Sequence, residues 1–362
     1  MKRTLLYFSM LLLGFPAAAA TRRRAVEVPS PFPACSMITG TPAVTFTRDH
    51  GATLAPTAER LSGIGYTYGL AALDAAGTLL AWHKNDLLIS TDNGCSWRVA
   101  ASFEDPEFPP RIAPAKGGRA YAWSDNRSFL VRYDGRGAIK LKQPIPFVGV
   151  GVDPVDGSHV RAGGSDGTIW ETRDAGETWT RIAILTPAAS PVIIYRFAFD
   201  PANLDHVLAG TTIDGTYASF DAGRTWQHSM SLFGHTNVFE VAVSPADPNT
   251  VWAEGIDLGE ELRHLYLSRD GGASFRAVID QTDSVHLING NIMAAHPLLP
   301  DVLYFVFGTY FQNYGTDLYR FDAGSGSLTV THSDYNDINA IAFSPLRPNL
   351  MYLGLEVESG VR

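Results

Sequence analysis

An eight-residue phrase occurs four times along this chain and constrains its fold more tightly than any other feature. It reads Ser90-Thr-Asp92-Asn-Gly94-Cys-Ser96-Trp97, then Thr172-Arg-Asp174-Ala-Gly176-Glu-Thr178-Trp179. It recurs as Ser219-Phe-Asp221-Ala-Gly223-Arg-Thr225-Trp226 and Ser268-Arg-Asp270-Gly-Gly272-Ala-Ser274-Phe275. Each copy reads as a hairpin turn. The carboxylate takes backbone N–H groups just ahead of it, and the glycine enters a backbone region that other residues avoid. The closing ring begins the next strand and offers a large apolar surface to bury between sheets. Three weaker copies fill the gaps. Thr47-Arg-Asp49-His-Gly51-Ala-Thr53-Leu54 lacks only the ring, while Tyr133-Asp134-Gly135-Arg-Gly137 and Phe321-Asp322-Ala-Gly324 keep the aspartate and glycine. The seven aspartates, at 49, 92, 134, 174, 221, 270 and 322, stand 43, 42, 40, 47, 49 and 52 residues apart. Each interval suits one four-stranded sheet.

The pattern S/T-x-D-x-G-x-S/T-W/F resembles the Asp-box, or BNR repeat. That resemblance implies a β-propeller whose boxes lie on the rim, away from any active site. Asp49, Asp92, Asp134, Asp174, Asp221, Asp270 and Asp322, with Trp97, Trp179, Trp226 and Phe275, are therefore expected to be structural. A second phrase precedes the boxes, as in Phe197-Ala-Phe-Asp-Pro201, Phe239-Glu-Val-Ala-Val-Ser-Pro245 and Ile341-Ala-Phe-Ser-Pro345. Each is a short strand entering a Pro/Asn/Asp turn, which makes it the start of a blade. The expected fold is all-β: seven blades, each of four antiparallel strands. The chain begins with a box that lacks its upstream strands and ends with strands that lack a box. The N- and C-terminal strands should thus share one blade and close the ring, removing exposed sheet edges. The alternative is a last box lying beyond Arg362.

Lys2 and Arg3, an apolar run from Leu5 to Phe15 and the small residues Ala17 to Ala20 make residues 1–20 read as a secretory signal peptide. The run is too short to span a bilayer, and no integral membrane segment is expected after cleavage. Arg22 to Arg24 follow the apolar stretch, so this is no twin-arginine signal. Residues 21–41, with Pro29, Pro31 and Pro33, read as an extended arm, and 42–362 as a single propeller. The expected location is secreted or periplasmic. Formal net charge is −9, and an acidic surface argues against nucleic acid as a partner. The two cysteines, Cys35 and Cys95, are expected to pair in an oxidising compartment. A loop of that length predicts about 4 kcal/mol in the chain-entropy model.

Catalytic motifs are scarce. Gly163-Gly-Ser165-Asp-Gly167 matches G-x-S-x-G but falls between two short strands rather than on a strand-to-helix elbow. Asn126-Arg-Ser128 matches a glycosylation acceptor within another expected hairpin. The histidines lack metal-like spacing, and Asp257, Glu260, Glu261, Asp334 and Asp337 match no calcium loop; no metal and no cofactor are expected. Asp-box propellers include sialidases, which grip a substrate carboxylate with three arginines. The nearest thing here to their first arginine phrase, F/Y-R-I-P, is Pro110-Arg111-Ile112-Ala113-Pro114, which follows the second box and is interrupted by Ala113. Xyloglucan-cleaving enzymes are more similar in blade number and box wording. They place one carboxylate on each of two propellers, as glycoside hydrolysis requires, and this chain has one propeller. Sortilin-type receptor domains and the photosystem II assembly factor are similar propellers without catalysis.

In such propellers, ligands bind on the face opposite the boxes. Candidates there are the aromatic and amide loop Tyr310, Phe311, Gln312, Asn313 and Tyr314, the acidic loop Asp257, Glu260 and Glu261, and the connector residues Phe103, Glu104, His235, His286 and Tyr335. Aromatics supply contact area and amides supply direction; the other reading of each loop is a packed hairpin or a solvated connector. The expected function is an exported binding or scaffold propeller for a protein or a glycan. The alternative is a sialidase-like or related exo-glycosidase. Two convergent carboxylates or three clustered arginines at the central mouth would favour the enzyme.

Overall fold

The computed structural model describes residues 44–54, 67, 69–104, 110–187, 192–232, 234–290, 292–308, 315–333 and 337–356. Contacts divide the chain into Met1–Phe32 and Pro33–Arg362. The first unit lies outside the described residues; the second holds every strand.

Among the described residues, twenty-seven strands form seven antiparallel sheets, six of four strands and one of three. Blades 1 to 6 run through residues 69–102, 111–140, 147–184, 194–228, 236–280 and 293–333. Blade 7 takes Asp337–Ser344 and Arg347–Glu356 from one end of the chain and Val44–Thr47 from the other, pairing Val44 with Gly354 and Thr47 with Met351. The two ends therefore share a blade, as the orphan box implied. The first strand of every blade touches the first strands of both neighbours, from blade 1 round to blade 7 and back. These seven inner strands line the ring's axis. Because the strands alternate in direction, the box turns share one face with the turns between first and second strands. The hairpins between second and third strands and the blade-to-blade connections share the other, here the loop face.

The boxes fold as their composition demands. In blade 1 the Ser90 hydroxyl donates to Asp92 Oδ1 at 2.7 Å and accepts the Gly94 N–H at 2.8 Å. Asp92 also accepts the Ser96 N–H at 2.9 Å and the Ser96 hydroxyl at 2.6 Å. The same net surrounds Asp49, Asp174, Asp221 and Asp270. Asn93 and Gly94 sit at φ of 64° and 91°, two successive left-handed residues, as a mirror-image hairpin turn requires. Bonds from Thr178 and Thr225 pull Asp174 and Asp221 down to about 2. The other two weaker copies keep only a shorter turn, in which Asp134 accepts from Arg136 and Gly137 and Asp322 from Gly324 and Ser325.

Each box also joins its blade to the rest. The residue after the aspartate donates its N–H to the first turn of the same blade, as Ala222 does to Asp205 and Gly271 to Asn249. The last residue packs on the preceding blade: Trp179 on Leu130 and Leu141, Trp226 on Ile169, Phe275 on Leu208. Leu54, where the ring is missing, packs beside Val302 and Tyr304 of blade 6. Ser165 to Gly167, which follow the strand Val160–Gly164, and Asn126 to Ser128 fall in turns.

Candidate functional site on the loop face

The first strand of a blade starts at the loop face, so its opening residues surround the mouth of the ring. Four of the seven inner strands carry a bulge there. Pairing skips a residue between Phe147 and Gly149, Ile194 and Arg196, Val238 and Glu240, and Ile338 and Ala340. The skipped residues are Val148, Tyr195, Phe239 and Asn339, equivalent positions in blades 3, 4, 5 and 7. Bulges bend a strand and re-aim its side chains. The rings of Tyr195 and Phe239 meet here with centroids 4.7 Å apart.

The residue after each bulge differs from blade to blade, and the differences interlock. Blade 4 supplies Arg196, blade 5 Glu240 and blade 3 Gly149. Arg196 reaches Asp125 of the blade 2 hairpin through two bonds of 3.0 and 2.9 Å, and its Nε lies 3.0 Å from Glu240. Arg111, the opening residue of blade 2, bonds Asp125 at 3.0 Å and Glu240 at 2.9 Å. The result is a closed cycle of alternating charge, Arg111–Asp125–Arg196–Glu240. Blades 2 and 5 stand as far apart as seven blades permit, so the Arg111–Glu240 bond crosses the axis. Gly149 lets the inner strands of blades 3 and 4 approach closely, since a Cβ there would meet the Phe197 carbonyl oxygen at 2.0 Å. Arg196 Nη1 donates to the neighbouring Val148 carbonyl at 3.3 Å.

The cycle has a dry side and a wet side. The side chains of Arg196 and Glu240 are 9% and 10% exposed, those of Arg111 and Asp125 44% and 28%. Burial raises the Asp125 carboxyl, but the charges of Arg196 and Arg111 outweigh it and hold it below the usual range. Burial works against the Arg111 charge too, and Glu240 and Asp125 overcome it. A glycosidase acid needs a raised carboxyl. Here two carboxylates and two guanidiniums satisfy one another. Among the described residues no group of histidine, cysteine and acidic side chains is arranged to hold a metal ion.

Around this mouth the loops of blades 4 and 5 are bonded to one another. Thr212 donates to the Ile193 carbonyl, and Ile193 returns a bond to the Thr212 hydroxyl. Ile213 donates to Asn237 Oδ1 at 2.8 Å, and Leu258 to the His235 carbonyl at 2.7 Å. Of the residues expected at the site, His235 and Asp257 meet at 2.8 Å. Asp257 faces inward and accepts the N–H groups of Gly259 and Glu260, which shapes its hairpin. Burial raises the Asp257 carboxyl; the bonds from Glu260, Gly259 and His235 lower it further than burial lifts it. Glu260 lies 3.6 Å from His264, and Glu261 is exposed at φ 56°. His286 stacks on Phe307 at 4.7 Å. Glu104 is exposed. Phe103 instead packs into the core between blades 1 and 2, stacked on Trp82 at 5.5 Å. Tyr310, Phe311, Gln312, Asn313, Tyr314 and Tyr335 lie outside the described residues, as does Cys35. Cys95 is not a free thiol.

Of the four charged residues in the cycle, only Arg111 belongs to a phrase read for its chemistry. Glu240 lies in the strand phrase Phe239 to Pro245, read only as the start of a blade, and Arg196, Asp125 and the neighbouring Tyr195 lie in none. The available signal was a charge inside an apolar strand: Tyr195-Arg196-Phe197 and Phe239-Glu240-Val241 hold opposite charges at the same repeat position.

No family model matches the chain. It is 50% identical over 338 residues to the dispase autolysis-inducing protein of Streptomyces mobaraensis, covering 90% of this chain and 89% of that one. Among solved structures, the GH74 xyloglucanase from Xanthomonas campestris superposes with a TM-score of 0.60 at 17% identity, over 82% of this chain and 51% of that one. The chain thus spans about half the length of that enzyme. YCF48 from Cyanidioschyzon merolae gives 0.57 at 12% identity, over 80% and 95%. At these identities the likeness to both structures is one of fold. The extent of the identity to the Streptomyces protein goes further: this chain belongs to the family of the dispase autolysis-inducing protein.

Proposed function

We propose that this chain is an exported, non-catalytic binding propeller that engages a secreted protease through its loop face and promotes that protease's self-cleavage. The observation that carries the reading is the identity to a protein named for inducing autolysis of dispase. The site's chemistry supports it. Among the described residues, the mouth carboxylates Asp125 and Glu240 are engaged by Arg111 and Arg196, which favours a binding role over acid catalysis there. A binder changes another protein's fate only by its differential affinity for that protein's states. Preference for a protease conformer with an accessible internal bond would raise the rate at which other protease molecules cut it. A closed ring also suits a protein that must survive beside a protease, because cleavage needs exposed, locally unfolded chain. Export through the leader at residues 1–20 and a Cys35–Cys95 bond belong to the same reading. Peptide mapping without reductant would find the linked pair.

The test is to add the purified protein to dispase and follow the intact protease on gels. Accelerated loss of dispase is expected; an unchanged time course overturns the reading. Aryl glycosides, sialosides included, supply the opposing test. Turnover that disappears with Arg111→Ala would make the mouth a glycosidase site instead.

A further inference from the structure

We propose that the protease contacts the rim formed by the loop-face turns of blades 4 and 5 and the connection to blade 6, and that this rim takes a protein segment presenting apolar side chains flanked by lysine or arginine. This rests on the reading above and adds the surface and the chemistry of the contact.

Apolar exposure at this end of the ring is concentrated in one sector. Among the described residues, the large apolar side chains that stand exposed on loop-face turns and connections are Ile193, Ile213, Met230, Leu258, Leu262 and Ile288, each at least 40% exposed. All six belong to blades 4 and 5 or to the connection that follows. The other exposed apolar residues lie on outer strands or on the box face, as Val155 and Leu346 do. Single exposed apolar residues are ordinary, whereas a contiguous set marks an interaction site. Hydrogen bonds join this set: Ile193 with Thr212, the Ile213 N–H to Asn237 Oδ1, and the Leu258 N–H to the His235 carbonyl. Arg263 then bonds Asn289, next to Ile288, at 2.7 Å.

The rim is also held in shape before any partner arrives. Asp257 ties its hairpin from inside, and His264 is fixed to Asp280 at 2.8 Å. Leu258 and Leu262 flank that hairpin. Preorganised side chains lose little freedom on contact, and a rigid apolar anchor binds correspondingly better.

Charge selects the occupant. At the loop-face ends of blade 5, residues 257–264 and 280–283 carry Asp257, Glu260, Glu261, Asp280 and Asp283 against one arginine, Arg263, while Arg269 and Arg276 lie at the box end. Glu260 and Asp280 keep 66% and 65% side-chain exposure. Basic side chains on the partner, next to apolar ones, would complement this surface and speed the encounter at low salt.

The experiment uses the full chain and dispase blocked by an active-site inhibitor, so that binding is read separately from cleavage. Ile213→Asp with Leu258→Asp should weaken binding at least tenfold, as loss of central apolar anchors does, and slow autolysis in parallel. Glu261→Lys with Asp283→Lys, both exposed, should weaken binding severalfold at low salt and flatten its salt dependence. Val155→Asp with Leu346→Asp, on the box face, should bind as the parent does. Unchanged melting temperatures separate contact loss from misfolding. If the parent binds and accelerates autolysis while both rim variants match it, the rim is not the surface. Loss of binding by the box-face variant alone would exclude the rim as well. If the parent neither binds nor accelerates autolysis, the functional reading fails and the rim assignment falls with it.

Discussion

On the box face, Asp92, Asp174, Asp221 and Asp270 each bond residues no more than four positions away in the chain. On the loop face, Arg196 bonds a carboxylate 71 residues away and Arg111 one 129 away. The first kind of contact is local, repeated and the same in every intact copy. The second occurs once and needs three different blades in place. A ring built from copies requires each copy to fold and to pack on its neighbour, which the boxes and their closing aromatics achieve. It does not require one blade to present arginine, the next glutamate and another glycine at the same position. The repeated face therefore accounts for the fold, and the unrepeated face is where this chain departs from a generic ring.

The largest test of this contrast is Arg196→Met. It leaves the buried Glu240 and the half-buried Asp125 with Arg111 alone, and breaking a buried pair from one side costs about 3–5 kcal/mol. Chemical denaturation should show that loss. Arg111→Met, on the wet side, should cost less. A double change, Arg196→Met with Glu240→Met, should recover part of the loss, because removing both partners leaves fewer buried charges unanswered. Equal, additive losses would mean that the cycle is a set of independent surface pairs.

Next is an acid-sensitive contact on the box face, where blade 6 meets the box of blade 7. His296 is buried, its Nδ1 accepts the N–H groups of Leu298 and Leu299, and its ring lies 5.5 Å from that of His50. Burial and the charges of His50 and Arg320 push it down to about 4. The unfolded chain titrates it near 6.5. Stability from the neutral ring is therefore whole above that pH and is lost as pH falls towards 4, at about 1.4 kcal/mol per unit for one proton. The lowered box aspartates act later: their contribution is present above their ordinary carboxylate range and is lost as pH falls from there towards 2. His296→Asn keeps an acceptor for both N–H groups and should flatten only the upper window. An unchanged slope there would assign the acid sensitivity elsewhere.

The two faces also differ in how legible they are from sequence. Box spacing gives the blade count, the strand order and the shared blade, because a local turn leaves its full pattern in consecutive residues. The mouth leaves no such pattern. Arg111 stands out only for a neighbouring Ile and Pro, and its partners Asp125 and Glu240 are set by the fold. Aromatic content favours Phe103 as a contact, but its ring is claimed by Trp82 and Phe129. Asp257 and His235 lie together, since they sit on the hairpin and the connector of one blade. Which loops bond to one another across blades is decided by the ring's closure and leaves no trace in consecutive residues.

The smallest effects compare intact with degenerate boxes. Asp221→Ala removes the acceptor for the Thr225 N–H and hydroxyl, at the surface, and for the Ser219 hydroxyl, which is part-buried. At about 1 kcal/mol for each well-formed bond, with water replacing part of them, the expected loss is about 1–2 kcal/mol. Asp134→Ala removes only the bonds to the Arg136 and Gly137 N–H groups, in a turn without the flanking hydroxyls. Its expected loss is below about 1 kcal/mol. Thermal melts of the two variants in the same buffer check the ranking. If Asp134→Ala proved as costly as Asp221→Ala, the flanking hydroxyls would contribute nothing, and the turn alone would explain why the aspartate and glycine survive in every copy while the hydroxyls do not.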